Sequence, residues 1–107
     1  MKIDYNVLNE YQLEKIDAKW ILNLRSKLNM SRVQFGKLFD QTHAQIYKWE
    51  NGLSLPTNMV KIQMIRLEKQ IATQGGQKVG DTLKGLLIVG GFALVFLWLF
   101  GSVDTEE

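Results

Sequence analysis

The chain has 107 residues, one histidine, no cysteine and a formal charge of +2, a length that holds one small domain plus an appendage rather than two independent cores. Without cysteine there is no disulfide, thiolate metal site or Cys nucleophile. His43 alone, with no spaced pair of inward carboxylates beside it, leaves nothing from which to build a metal site or a Ser/His triad, so the composition points away from an enzyme and from any cofactor.

Residues 1–16 mix apolar and polar side chains without clean periodicity and read as an N-terminal arm with room for a short helix. Asp17 is a good N-cap, and Trp20, Ile21, Leu24 and Leu28 recur at helical spacing, which predicts a helix over about 18–29. Ser31 opens a second cap, and Val33, Phe35, Leu38 and Phe39 supply the apolar stripe of a helix ending near Phe39. Asp40 and Gln41 form the turn, Asp being one of the few residues other than glycine that tolerate a left-handed backbone. Thr42 caps a third helix with Ile46 and Trp49 facing inward, and Asn51-Gly52 stops it. After Pro56, the segment from Thr57 to about Ile71 is a fourth helix.

Residues 72–84, ATQGGQKVGDTLK, read as a flexible linker because three glycines disfavour helix by about 1 kcal/mol each. Residues 85–103 are nineteen uncharged positions between Lys84 and Asp104, and at about 1.5 Å per residue a helix of that length matches a hydrocarbon core of about 30 Å. Its apolar residues cover every side, unlike an interfacial helix, and Trp98 sits near one end like a belt aromatic. Lys78 and Lys84 precede the run, and the acidic tail 104–107 follows it, so the positive-inside rule puts the N-terminal part in the cytoplasm. The competing reading is the buried C-terminal helix of a soluble dimer.

Charge is distributed unevenly. From Asp17 to Gln70 nine cationic residues stand against four anionic ones, a net of +5, whereas 71–107 carry a net of −2. A basic segment of this kind attracts phosphates. Two helices joined by a short turn, the second capped and polar on its outer side, fit a DNA major groove about 12 Å wide.

Leu24-Arg25, Met30-Ser31, Phe35, Leu38-Phe39, Thr42, Ile46, Lys48-Trp49-Glu50-Asn51-Gly52 and Pro56 together resemble a Cro/repressor-type (XRE family) helix-turn-helix domain over residues 17–71, about half the chain. The resemblance implies an all-α, four-to-five-helix repressor-like domain, here followed by the linker and a single transmembrane helix. It implies that Arg25 pairs with Glu50 as scaffold. It further implies that His43, Ala44, Tyr47 and Lys48 face base edges while Arg32, Thr42 and Asn51 hold phosphates, with Gln45 joining either set and counted with the phosphate group. Hydroxyl, amide and cationic groups at a helix N-terminus are good phosphate partners, and Lys48 is able to donate to guanine.

Some positions depart from the family pattern. Gln41 stands where an apolar residue is usual, Asp40 replaces a usual Gly, and Leu53 and Leu55 stand where a basic residue is common; the last change removes phosphate-neutralising charge, and the alternative reading of the two leucines, exposed together, is a protein contact. The expected partners are double-stranded DNA, a lipid bilayer and a second copy of the chain. The expected function is a membrane-tethered DNA-binding regulator or a DNA-to-membrane attachment factor in the cytoplasmic membrane. Two rivals stand beside it. The layout of head, linker and span also resembles rod-shape cytoskeletal anchors, which bind a filament protein but continue into an outer domain where this chain has a short tail. The other is a virion membrane protein of a phage with an internal lipid layer, its head facing packaged DNA.

Overall fold

A computed structural model describes residues 10–101, and every regular element among them is an α-helix. The order is α1 (Glu10–Glu14), α2 (Ala18–Lys27), α3 (Arg32–Lys37), α4 (His43–Glu50), α5 (Asn58–Gln74) and α6 (Gly76–Phe100). The expectations for residues 1–9 and 102–107, including most of the N-terminal arm and the acidic tail, lie outside the described residues.

Local hydrogen bonds set the helix starts. Asp17 accepts from the Trp20 amide at 2.9 Å, Ser31 and Gln34 form a reciprocal capping box, Thr42 accepts from the Gln45 amide, and Thr57 accepts from the Val60 amide. Each side chain satisfies one of the amides that a helix leaves orphaned at its first turn. Asp40 adopts the left-handed conformation at φ 58, as its place in the turn predicts. Gly52, just after the α4 C-cap Asn51, adopts φ 71.

The core is built where the apolar faces of α2 to α6 meet. Ile21, Leu24 and Leu28 of the α2 segment, Phe35, Leu38 and Phe39 of the α3 segment, and Ile46 and Trp49 of α4 are all buried. Met64 and Leu67 of α5 join them. Phe35 and Phe39 meet edge to face with centroids 5.1 Å apart, a favourable ring geometry. Val33 departs from the expected stripe: it is 49% exposed, because the six-residue α3 buries only the side that carries Phe35 and Gly36. From the arm, Ile16 is buried and Leu13 packs against the same core.

Residues 72–84 are not a flexible linker. α5 continues to Gln74, Gly75 turns the chain at φ 90, and α6 begins at once with Gly76. The reason is packing: Val79 and Leu83 are fully buried, and α6 runs against the carboxyl end of α2 and against α3. Gly76 and Gly80 permit that approach, since a Cβ on Gly76 would lie 2.1 Å from the Lys27 carbonyl oxygen and one on Gly80 2.4 Å from that of Leu28. Of the three glycines read as helix breakers, Gly75 does break the helix, whereas Gly76 and Gly80 are contact surface.

The apolar helix accordingly starts nine residues earlier than its expected first residue, 85. It also kinks. Gly91 has φ 63 and ψ −153, outside helical geometry and open to glycine at little strain. Beyond the kink the chain returns to α5, where Val95, Leu99 and Phe100 are buried and the Arg66 guanidinium donates to the Leu99 carbonyl at 3.2 Å and lies over the Phe100 ring. Phe92, Phe96 and Phe100 follow one another along this last segment as tilted ring contacts, with centroids 5.9 and 4.7 Å apart.

Candidate functional site

The turn from Leu38 to Thr42 brings α3 and α4 together, and it is tight because position 36 is glycine: a Cβ there would lie 2.5 Å from the Gln41 carbonyl oxygen. Ile46 and Trp49 anchor the inner side of α4 in the core. Its outer side is therefore fixed, and that side carries His43, Ala44, Tyr47 and Lys48, all four exposed. These are the residues expected to face bases, and the structure gathers them on one helix face.

The residues expected at phosphates are distributed differently. Thr42 uses its hydroxyl as the α4 cap. Gln45 is half-buried, its amide donating to the Ser54 hydroxyl at 3.0 Å, so it ties α4 to the following loop. The Asn51 side-chain amide donates to the Tyr47 carbonyl at 2.9 Å and closes the helix end. Arg32 lies beside the α4 face, with its guanidinium 5.2 Å from the centre of the Tyr47 ring.

Below that face lies a cluster of charge. The Glu50 side chain is only 2% exposed and receives two N–H donors from Arg25, one of them at 3.0 Å, while Arg32 Nε donates to its Oε1 at 2.9 Å. A third Arg25 donor reaches the Met30 carbonyl at 3.0 Å. Arg25 and Glu50 therefore join α2 to α4, and Arg32 adds a tie from α3 that the sequence did not suggest. No spacing rule links positions 32 and 50, so the signal was absent. Two guanidiniums on one carboxylate leave the cluster a net positive charge, and Arg32, the more exposed of the pair, presents it next to Tyr47.

Burial by itself pushes the Glu50 carboxyl up, but the hydrogen bonds and charges of Arg25 and Arg32 outweigh it and hold the group below the usual carboxylate range. A carboxylate whose folded value is depressed stabilises the fold above its unfolded value, about 4.3, and that contribution is lost as the pH falls through the folded value. The head should therefore lose stability on acidification below about pH 5. Glu50→Gln, with no carboxylate to protonate, should show a shallower acid limb in urea unfolding measured across pH. Parallel loss in the two proteins would assign the acid sensitivity elsewhere.

Leu53 and Leu55, in the loop after α4, are 68% and 61% exposed, and Met59 beside them on α5 is also exposed. The second notable surface is α6: by length and composition it is able to cross a membrane, yet only 22% of its most apolar window is buried against the rest of the chain. Ile88 and Val89 stand almost fully exposed. No protein-family model, curated protein or solved structure matches the chain.

Proposed function

We propose that the chain is a membrane-tethered, sequence-specific DNA-binding protein, acting as a transcriptional regulator or as a factor that attaches DNA to the cytoplasmic membrane. The observation that carries the DNA reading is the outer face of α4. His43, Ala44, Tyr47 and Lys48 share it, Arg32 adjoins it through Tyr47, and the opposite side of the helix is anchored in the core. On this reading α3 and α4 form a helix-turn-helix with α4 in the major groove, Lys48 donating to a base edge and Arg32 meeting phosphate. The bilayer reading is supported by the largely uncovered apolar surface of α6. A helix that belongs wholly to a soluble core hides most of such a window, whereas lipid covers this one. In the membrane the segment beyond Gly91 leaves α5 and continues the span, exchanging the Arg66 and Phe100 contact for lipid.

One short helix reads only a few base pairs, so binding joins two heads on half-sites about 34 Å apart, and confinement in the bilayer raises their effective concentration. The test is selection of DNA sequences by the full chain in lipid nanodiscs. Lys48→Ala should relax preference at one base-pair position, because a base contact discriminates by about 1–3 kcal/mol. Arg32→Ala should weaken all sequences alike and reduce the salt slope by about one. If no sequence is enriched and neither substitution matters, the head is a protein-interaction module, and the exposed Leu53, Leu55 and Met59 are where its partner binds.

A further inference from the structure

Between α3 and the first half of α6 lies a groove of about 220 Å³ lined by Gln34, Lys37, Lys84, Leu87 and Ile88. Its lining is two-toned along the α6 axis. Lys84 is the last charged residue before the apolar run, and Lys37 faces the same groove from α3, with the Gln34 amide beside them. Leu87 and Ile88, one turn further on, are the first apolar rungs of the run. Lys84 is held in place, its ammonium donating to the Asn29 carbonyl at 3.1 Å and keeping further protons for another acceptor. Lys37 is exposed. No carboxylate lines the groove: Asp81, one turn before Lys84, is engaged by the Gln77 amide instead.

The groove lies on the part of α6 that precedes the Gly91 kink, where buried Val79 and Leu83 and the close approach of Gly80 to Leu28 hold the helix to the head. It therefore persists whichever way residues 92–100 run. We propose that this groove binds the headgroup of an anionic phospholipid. The lipid phosphate accepts hydrogen bonds from Lys37 and Lys84, and the acyl chains lie along Leu87 and Ile88 in the direction of the span. Two ammoniums at the mouth and an apolar floor below match the amphipathic profile of a lipid at the depth where α6 enters the bilayer, and basic pockets of this kind at the cytoplasmic edge select anionic headgroups. Duplex DNA has no apolar tail to place on Leu87 and Ile88. The proposal rests on the reading that α6 enters a membrane.

The test is native mass spectrometry of the detergent-solubilised full chain, titrated with phosphatidylglycerol or with phosphatidylcholine of identical acyl chains. The expected result is preferential retention of one phosphatidylglycerol. Lys37→Gln should weaken it about fivefold, the factor that corresponds to the usual contribution of one interfacial lysine, and Lys37→Arg should retain it. Lys37 is exposed, so these variants leave the core untouched; Lys84→Gln should weaken retention at least as much. Equal retention of the two lipids, or no change in Lys37→Gln, overturns the site. Equal displacement of the lipid by millimolar inorganic phosphate makes it a free-phosphate site, and displacement by a short duplex assigns the groove to nucleic acid; either overturns the proposal. Carbonate extraction of cell membranes runs in parallel. A chain released by carbonate removes the membrane reading and the lipid site together, whereas a chain that stays embedded but shows no headgroup preference removes the lipid site alone.

Discussion

Arg25→Ala should destabilise the head by about 3 kcal/mol, and Arg32→Ala by less than about 1 kcal/mol, although both arginines bind the same carboxylate. The difference follows from burial and from what each substitution leaves behind. Glu50 is nearly inaccessible to solvent, so its charge depends on protein donors. Arg25 supplies two of them from a side chain only 18% exposed and also satisfies the Met30 carbonyl. Its loss leaves a buried carboxylate half-paired and a carbonyl unpaired, and removing one partner of a buried pair typically costs about 3–5 kcal/mol. The lower end applies because Arg32 still holds Oε1. Arg32 itself is 42% exposed, and water replaces much of what it provides. Urea unfolding of the detergent-solubilised full chain, followed by circular dichroism, measures both. Equal losses, or a loss below about 1 kcal/mol for Arg25→Ala, would show that the ion pair does not hold α2 to α4.

A chain ending at Lys78 should be markedly less stable than one ending at Gly90, both lacking the buried Val95, Leu99 and Phe100 of the last segment alike. The shorter chain lacks Val79 and Leu83, both fully buried, and each such side chain contributes about 1.5–3 kcal/mol by burial. Their joint loss of about 3–6 kcal/mol is comparable with the whole stability of a small domain, about 5–15 kcal/mol. It also uncovers Leu28 and the end of α2, against which Gly80 is set. Gly80→Leu in the longer chain should reproduce much of the defect, because the clash is with a backbone carbonyl that has no rotamer to yield. Matching unfolding curves for the two truncated chains would mean that α6 is merely adjacent to the head.

These two expectations separate what was legible in the sequence from what was not. The caps at Asp17, Ser31 and Thr42 were legible because each accepts a hydrogen bond from the backbone amide three residues on, and Thr57, read as part of the fourth helix, proves to be a cap of the same kind. The inward Ile46 and Trp49 followed from helical periodicity, whereas the outward set on α4 came from the family resemblance. The apolar composition of residues 85–103 was equally plain. The seating of residues 76–84 was not, because Gly76 and Gly80 have meaning only against carbonyls some fifty residues away in the chain. Read locally, three glycines in six positions signify a loop. The Arg32–Glu50 contact and the exposure of Val33 were hidden for the same reason: both depend on how a short helix is rotated in its packing, which periodicity over six residues does not determine.

The rigid seating of α6 on the ends of α2 and α3 has a mechanical consequence. A head on a slack tether swivels freely, and a pull on whatever it holds first straightens the tether. Here the path from the outer face of α4 runs through α3 into α6 with no slack segment between them. On the proposed function the protein is a bracket rather than a leash. The duplex is presented at a set angle to the bilayer, and tension along the DNA is delivered to the membrane as torque on a single helix.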